Sequence, residues 1–427
     1  MERKGQGIQI IIDHDLCTSC GACVAICSLR NVEMRFNERR GKWDAWVRGA
    51  NLCQRCIDRS CLSVCPSYDV DYMELAGSHE NRLLGRVRRV YNGYSKDGDL
   101  RYSSSSGGFI REACRTLLQE GRIDGVISIV HEAGLDYVPK IITRIEEMPN
   151  SIYHNVNYAK AIDLLQQNEG RYLLIGLPCQ LTGMELFVRR QKKGLLRERV
   201  YAKIALICGF TFDRKNIEAF AYYQRFPLKE VSYRNGGRLR RTQLRNGSRE
   251  ISVEAFHSKT WRDRVSNLIC FDPVMTQRGC LYCVDHLGYC ADLVVGDAWQ
   301  KKYSSETEGC NLIISRTERG EEIVSEMKSF HFEKGTLEEI LEAQGPNYAF
   351  GALGEGMKRA RLKGHNFVPN RKRTNQSEDL VVYRLRAKDR FKISIIQPVL
   401  RKGRFRLAQW LVILLESKGL LASWLRP

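Results

Sequence analysis

The middle of the chain carries two alternating apolar patterns, one with helical spacing and one in short continuous runs. The apolar residues of 109–120 recur at helical spacing, and a second helix is expected over 159–167. Short runs rich in β-branched and apolar residues at 125–130, 172–176 and 201–207 predict buried strands. Such alternation is typical of an α/β fold with a largely parallel sheet, whose ligands bind beyond the carboxyl ends of the strands.

Two further stretches carry short patterns of their own. The apolar run 8–12 predicts a first strand. Residues 229–256 contain turn residues between short alternating segments, so hairpins are expected there. Six arginines fall between Arg234 and Arg249. They are either a solvated basic hairpin or a patch that binds an anionic cofactor or substrate.

Eight of the sixteen cysteines fall within residues 17–65, in two runs. The runs are Cys17-x2-Cys20-x2-Cys23-x3-Cys27 and Cys53-x2-Cys56-x4-Cys61-x3-Cys65-Pro66. Bacterial ferredoxins use this rhythm for two [4Fe-4S] clusters, and the fourth cysteine of each run binds the other cluster. On that pattern one cluster takes Cys17, Cys20, Cys23 and Cys65, and the other takes Cys53, Cys56, Cys61 and Cys27. The longer spacing between Cys56 and Cys61 leaves the number of ligands unchanged.

Structural zinc and a disulfide framework are the alternatives for these cysteines. Zinc suits Cys-x2-Cys pairs but seldom uses three cysteines at this spacing followed by a fourth. Residues 1–15 contain no secretory segment, so a disulfide-bonded secreted protein is not expected. No apolar run approaches the roughly 18 residues of a transmembrane helix. We therefore expect a cytoplasmic protein whose thiols bind iron–sulfur clusters.

The charge of the chain is concentrated at its C-terminal end. The net charge of +19 predicts acidic partners, and residues 371–427 carry more than half of it. There a basic segment, 401–406, precedes an apolar stretch, 407–425, with Leu and Trp along one helical stripe. The stretch is expected to pack on the protein's own body. The alternative is a peripheral contact through 401–425 with the inner face of an anionic membrane.

A second cysteine centre lies at Cys280-x2-Cys283, with Cys290 close behind it. Two thiolates leave a metal site half-coordinated. Cys179 and Cys208 each follow a predicted strand, so they are placed to complete the site. The cysteines of other apolar segments are interpreted as structural: Cys114, Cys270 and Cys310.

The order of five short motifs gives the sequence a family resemblance. Behind the first cysteine runs come SSSGGF, GLPCQ, LICG, RGCLYC and ADLVVGD. Over roughly residues 10–365 the chain resembles the beta-subunit family of coenzyme F(420) hydrogenases and dehydrogenases. That family also includes 7-hydroxymethyl chlorophyll a reductases and proteins linked to bacterial surface-polysaccharide synthesis.

The resemblance implies FAD and a third [4Fe-4S] cluster. It assigns that cluster to Cys179, Cys208, Cys280 and Cys283, and it leaves Cys290 out. It implies FAD contacts at Ser105, Ser106, Gly107, Gly108, Tyr153, Pro178, Gln180, Gly296 and Asp297. The Ser/Gly loop suits a pyrophosphate, because glycines let the backbone approach and a helix N-terminus offers free N–H groups.

The substrate and the acid–base residues stay open. Where relatives often carry a GSKY-like element, this chain has Asn150-Ser151-Ile152-Tyr153, without the lysine. The candidates for a general acid are His154, His257 and His286, although a lone histidine is more often structural. The family implies a small-molecule or glycan-linked substrate, and coenzyme F(420) is one option.

These observations predict an α+β/α/β protein with four parts. They are a bacterial-ferredoxin-like module at 1–77, the α/β N-terminal domain of the beta-subunit family at 78–228, the C-terminal domain of that family with Cys-x2-Cys at 229–366, and a basic helical tail at 367–427. The α/β part behind the module is expected to bind the flavin. The expected oxidoreductase takes single electrons from a ferredoxin-type partner through three [4Fe-4S] clusters to FAD. One alternative is an electron-transfer subunit with no substrate of its own. Another is a zinc-containing nucleic-acid-binding protein, although no specific nucleic acid is expected.

Overall fold

A mixed sheet of eight strands forms the centre of the fold. The computed structural model describes residues 7–77, 84–191, 194–235, 241–254, 276–344, 370–372 and 391–424. In chain order its helices and strands are α1 (Gln9–Asp13), α2 (Ala22–Ile26), β1 (Val32–Asn37), β2 (Lys42–Val47), α3 (Ala50–Arg55), α4 (Ser60–Ser63), β3 (Asp69–Asp71), α5 (Tyr72–Ala76), β4 (Arg89–Ser95), α6 (Gly98–Ser103), α7 (Phe109–Gln119), β5 (Gly125–Ala133), β6 (Asp136–Ile142), α8 (Ala159–Gln167), β7 (Tyr172–Gly176), α9 (Pro178–Arg189), α10 (Leu195–Arg199), β8 (Val200–Leu206), α11 (Arg214–Tyr223), β9 (Glu230–Asn235), β10 (Arg241–Asn246), β11 (Arg249–Glu254), α12 (Arg278–Leu281), β12 (Leu293–Asp297), β13 (Asn311–Ser315), α13 (Glu318–Glu326), β14 (Phe330–Lys334), α14 (Leu337–Gln344), β15 (Asn370–Lys372), α15 (Gln397–Arg401) and α16 (Phe405–Trp424).

The large sheet has the strand order β14-β4-β13-β12-β8-β7-β5-β6. Its inner strands β12, β8, β7 and β5 run parallel, whereas every pair outside them is antiparallel. The expectation of a largely parallel sheet is therefore wrong. Hairpin connections such as β5–β6 add antiparallel strands without the crossover helix that a parallel pair needs. Strands from both sides of the predicted boundary at residue 228 take part in this one sheet.

Helices cover both faces of this sheet. On one face α7 and α13 enclose a core that includes Leu173 of β7. On the other face α8 and α9 enclose a core that includes Leu174, because successive strand residues point to opposite sides. The expected helices at 109–120 and 159–167 correspond to α7 and α8. The hairpins expected within 229–256 form the antiparallel sheet β11-β10-β9.

Residues 7–77, here called the N-terminal module, begin with a helix rather than a strand. The prediction of a strand at 8–12 is wrong, since this run belongs to α1 and the turn before it. Ile8 and Ile11 are both 1% exposed and lie three positions apart, which is helical spacing. A short apolar run fits a strand or a helix equally well, and packing against the cysteine loops selects the helix here.

The first cysteine loop of the module packs closely on the main body. Gly21 has a φ of 78°, and a Cβ there would lie 2.2 Å from the Cα of Ala159 in α8. Asn155 accepts the backbone N–H of Trp43 at 2.8 Å and donates its side-chain amide to Ser19 Oγ at 2.7 Å. These contacts hold the module against the same side of the sheet as α8 and α9.

The described part of the tail packs on α11 through an inner stripe of α16. Ala408 and Val412 are buried in a core with Phe220, whereas Leu407 and Trp410 are exposed. The favoured interpretation, packing on the body, therefore describes this part of the tail, although the buried stripe is not the one expected. None of the helices among the described residues is long and apolar enough to cross a membrane.

Arg401 joins the tail to both other parts of the molecule. Its guanidinium lies 2.5 Å from Asp15 Oδ2 in the module and 2.7 Å from Asp213 Oδ2 at the start of α11. Lys42, with no exposed side-chain surface, lies 3.0 Å from Asp15 Oδ1. Burial opposes ionisation of Asp15, but Lys42 and Arg401 hold its pKa well below the usual value. This buried network ties the three segments together.

Candidate functional site

A cavity of about 520 Å³ opens at the carboxyl ends of the inner strands. Gly176 ends β7, Cys208 follows β8 and Asp297 ends β12, and all three line the cavity. This is the edge at which α/β sheets bind ligands, as the sequence predicted. The volume lies within the roughly 300–1,000 Å³ typical of small-molecule sites.

Four cysteines that line this cavity are called the body cysteine set: Cys179, Cys208, Cys280 and Cys283. One comes from the first turn of α9, one from the loop directly after β8, and two from α12 and the turn after it. Burial raises the pKa of Cys208 well above its usual value, and the other three thiols of the set raise it further. Four cysteine thiols are the donor set that an iron–sulfur cluster takes.

Backbone and side-chain contacts fix the position of this set. The backbone N–H of Cys208 donates to the carbonyl of His286 at 3.0 Å. In return, Nδ1 of His286 donates a hydrogen bond to the carbonyl of Cys208 at 2.7 Å. Thr211 Oγ1 lies 3.6 Å from Cys280 Sγ. His286, a candidate general acid from the sequence, therefore holds the loop of Cys208 in place through this nitrogen.

The cysteines of the N-terminal module separate into two sets that differ in exposure. The inner cysteine set is buried and consists of Cys17, Cys20, Cys23 and Cys65. The outer cysteine set is half-buried and consists of Cys27, Cys53, Cys56 and Cys61. Burial, together with the other three outer thiols, raises the pKa of Cys61 to about 11. The grouping agrees with the predicted division of ligands, which stays a prediction.

Polar hydrogens point at sulfur in both module sets. The backbone N–H groups of Ser19 and Ala45 each lie 3.4 Å from Cys17 Sγ. The side-chain amide of Asn31 donates to Cys53 Sγ at 3.3 Å. Hydrogen bonds to cluster sulfurs are one of the means by which a protein sets reduction potentials. In the described ranges no group of three or more His, Cys, Asp or Glu side chains is arranged so that it could hold a metal ion.

Two glycines bring the inner set close to the body set. A Cβ at Gly183, one turn after Cys179 in α9, would lie 2.9 Å from Cys20 Sγ. A Cβ at Gly279, next to Cys280, would lie 2.7 Å from the carbonyl oxygen of Leu16. The inner set therefore lies beside the body set.

The Ser/Gly loop before α7 forms another wall of the cavity. Ser105, Ser106 and Gly108 line it, whereas Gly107 packs on the backbone, where a Cβ would lie 2.5 Å from Gly93 O. Gly108 has a φ of 86°, which favours glycine, and α7 begins directly after it. Ser105 Oγ accepts the N–H of Ser151 at 2.9 Å, so the Asn150–Tyr153 stretch lies beside the loop.

Asp297 is paired with an arginine that the family resemblance did not indicate. Arg234 of β9 donates to both carboxylate oxygens of Asp297, at 2.9 and 3.0 Å, and lines the cavity. Burial opposes the charge of Arg234, but Asp297 raises its pKa above the usual value. Of the hairpin arginines, Arg234 thus faces the cavity, whereas Arg245 pairs with Glu250 in exposed surroundings. A strand pattern alone does not indicate which arginine faces inward.

Arg111 is a second cavity residue that sequence reasoning missed. It lies in the first turn of α7, lines the cavity and donates to the carbonyl of Met148 at 2.8 Å. Burial lowers its pKa. Its position two residues after the SSSGGF motif was the available signal, since a cation beside a helix N-terminus suits a phosphate.

His154 lines the cavity but is built into its wall. Nδ1 lies 2.7 Å from Tyr233 Oη and Nε2 lies 2.8 Å from the carbonyl of Leu135. Because a carbonyl only accepts, Nε2 carries the proton and Nδ1 accepts from the tyrosine. Burial lowers the pKa of His154 to about 4, which keeps it neutral. Both ring nitrogens are therefore engaged within the wall, a geometry that does not favour His154 as a general acid, and its role stays a prediction.

The other predicted residues fall into three groups. Tyr153, Pro178, Gln180 and Gly296 line the cavity, and Gln180 Oε1 accepts the N–H of Leu177 at 2.8 Å. Cys114, Cys290 and Cys310 are buried thiols that are absent from the cavity lining. Cys270 and His257 lie outside the described residues.

The fold and site define an α/β protein with clustered thiols in a cavity at the carboxyl edge of its sheet, and comparison with known proteins places it in a family. Residues 90–163 match the N-terminal part, and residues 169–339 the C-terminal part, of the family described as coenzyme F(420) hydrogenase/dehydrogenase, beta subunit. The chain belongs to this family of oxidoreductase subunits.

Individual relatives are more distant. The chain is 25% identical to an F(420)H(2) dehydrogenase subunit of Methanosarcina mazei over 321 residues, 73% of this chain and 82% of that one. A ferredoxin of Pyrobaculum islandicum is 39% identical over 59 residues, 14% of this chain and 47% of the ferredoxin. A chain of the xenon-derivatised F(420)-reducing [NiFe] hydrogenase complex from Methanosarcina barkeri is 16% identical with a TM-score of 0.48, covering 67% of this chain and 94% of that one.

Proposed function

We propose that the chain is an iron–sulfur flavoprotein that carries single electrons between its surface and FAD in the cavity, where a two-electron substrate reacts. The observation that carries this proposal is the convergence of the body cysteine set and the Ser/Gly loop on one cavity. FAD, when bound, would exchange single electrons with clusters and a hydride with a substrate.

Each part of the cavity wall has a distinct task under this proposal. The Ser/Gly loop and Arg111 would bind the phosphates of the cofactor, because N–H groups and a guanidinium both favour phosphate oxygens. Arg234 holds Asp297 in a fixed orientation at the end of β12. The body cysteine set would hold the cluster nearest the cavity, and the inner set, beside it, would hold the next.

An anaerobic absorbance spectrum combined with iron and flavin assays on the full chain tests this function. We expect bound FAD and about twelve irons per chain, four for each of three clusters. About eight irons without flavin would contradict the assignment of the cavity. A colourless protein that contains zinc would contradict the function as a whole.

A second function, an electron-transfer subunit without a substrate of its own, is favoured by one comparison. The Methanosarcina mazei relative is named as one subunit of a dehydrogenase. Reduction of the isolated chain by a reduced ferredoxin, followed by addition of coenzyme F(420) and other small acceptors, separates the two functions. Turnover of a small acceptor supports the oxidoreductase, and reduction without any turnover supports the subunit.

A further inference from the structure

Exposed apolar side chains surround the outer cysteine set. Leu29 and Leu52 are 46% and 49% exposed, and Ile57 is 97% exposed. Each lies within two positions of an outer-set cysteine in the sequence. Asn31 ties the two segments together, because its side-chain amide also donates to the carbonyl of Gly49 at 2.8 Å. Exposed apolar groups that cluster at one place commonly mark a protein interaction site.

The same surface carries unbalanced positive charge. Arg30, Arg55 and Arg59 are exposed, and none of them forms an ion pair with a described residue. The acid among these exposed loop residues is Asp58, whose carboxylate is hydrogen-bonded to Ser60. A surface with three arginines and one aspartate attracts an acidic partner.

The unusual spacing between Cys56 and Cys61 creates part of this surface. The longer connection places Ile57 almost entirely in solvent. It also holds Arg59 at a φ of 46°, a left-handed conformation that is unfavourable for residues other than glycine. Ligation of a cluster needs neither the exposed isoleucine nor the strained arginine.

The two module sets differ in exposure, and this difference bears on where electrons could enter or leave the module. The four inner cysteines are each 8% exposed or less, whereas the four outer cysteines are half-buried. The inner set also lies between the module surface and the body set, through Gly183 and Gly279. Of the two module sets, the outer set is thus the one that a partner at the module surface would meet first.

We propose that the surface formed by Leu29, Arg30, Leu52, Arg55, Ile57 and Arg59, here called the outer-set face, docks a small acidic electron-carrier protein. This inference rests on the proposed function and adds the place where its electron partner binds. Positive charge would steer the carrier to the face, and the apolar groups would exclude water from the contact. Electron-transfer contacts of this kind are small and transient, below about 1,200 Å² in total.

The test measures how fast the full chain is reduced under anaerobic conditions by a reduced acidic two-cluster ferredoxin. In Arg55→Glu/Arg59→Glu we expect a second-order rate constant at least about tenfold lower at low ionic strength, with a weaker salt dependence. In Ile57→Ser we expect a several-fold loss that salt does not restore. Arg319→Glu/Lys328→Glu is the matched control, because it reverses the same charge at α13 and the turn after it, on the opposite face of the sheet.

Iron content and reduction by dithionite are measured for every variant and should equal those of the wild type. Equal ferredoxin rates in the wild type and in Arg55→Glu/Arg59→Glu, both with full iron, would overturn the docking site. A wild type that dithionite reduces but the ferredoxin does not would also overturn it. A wild type without clusters that dithionite can reduce would instead contradict the proposed function.

Discussion

The N-terminal module and the main sheet both gather cysteines, but over very different lengths of chain. The module's eight lie within residues 17–65, where short loops and one-turn helices bring them together. The body cysteine set spans 179–283 and meets because β7 and β8 are parallel neighbours that end at one edge. The module sets thus depend on local spacing, whereas the body set depends on the whole sheet. A substitution that disrupts the body cysteine set should therefore leave the module sets intact, and the reverse.

Cys208→Ser gives the largest expected effect, because it removes a proposed cluster ligand from the body set alone. We expect the variant to lose about four of about twelve irons and the electron connection to the cavity. Iron assay and the fraction of cavity flavin reduced by dithionite would measure both losses. Cys290→Ser is the control, since this buried thiol is absent from the cavity lining and contacts Thr182 at 3.7 Å instead. Full iron in Cys208→Ser, or equal loss in the control, would show that the body set is misassigned.

Arg401→Met tests the attachment between the two regions and the tail. It leaves the buried carboxylates of Asp15 and Asp213 without this partner, which typically costs about 3–5 kcal/mol. Urea unfolding under anaerobic conditions measures the free energy of unfolding. Arg404→Met is the control, because it removes an exposed arginine of the same segment. It should change the free energy of unfolding by less than about 0.5 kcal/mol. Equal stability of the two variants would mean that the network contributes little.

Gly279→Ala tests the close packing of the inner set on the body set. The added methyl group would meet the backbone of Leu16 at 2.7 Å, so we expect a loss of about 1–3 kcal/mol. Thermal or urea unfolding measures it, and slower reduction of the body cluster would accompany it. Gly98→Ala is the control, because nothing lies within 4 Å of a Cβ there. An unaffected Gly279→Ala variant would show that the two regions are less closely packed.

His154→Gln gives the smallest expected effect and concerns the main body alone. The folded pKa of about 4 lies below the usual 6.5, so the unfolded state binds the proton more readily. The stabilisation is complete above pH 6.5 and decreases as the pH falls, by about 1 kcal/mol at pH 5.5. Gln does not titrate and offers an N–H to the carbonyl of Leu135, so the urea midpoint of the variant should depend less on pH between 7.5 and 5.5. An unchanged pH dependence would exclude His154 as its source.

Secondary structure with a clear period was predictable from the sequence. The helix Ala159–Gln167 and the strand Tyr172–Gly176 were expected at their observed bounds. The helix in the run 8–12 was not predicted, because a run this short fits both the helical and the strand period. Only the contacts of Ile8 and Ile11 select the helix. The antiparallel outer strands were also missed, since strand direction depends on connections and pairing rather than on the residues within a strand.

The candidate site divides in the same way. The cysteine runs and the order of the motifs, with the Ser/Gly loop among them, predicted the candidate cluster ligands and cofactor contacts. The partnership of Arg234 with Asp297 could not be read from them, because it joins separate sheets. The hydrogen-bond partners of the two ring nitrogens of His154, which determine its protonation state, could not be predicted from the sequence either.

The sequence by itself therefore determined the cysteine spacing, the periodic helices and strands, and the family, because each depends on short-range or ordered patterns along the chain. Only the tertiary structure decided that the inner set lies beside the body set and that the outer set faces solvent. It also decided that Arg401 binds Asp15 and Asp213. Such contacts join residues far apart in the chain, and they form only when the sheet, module and tail pack together.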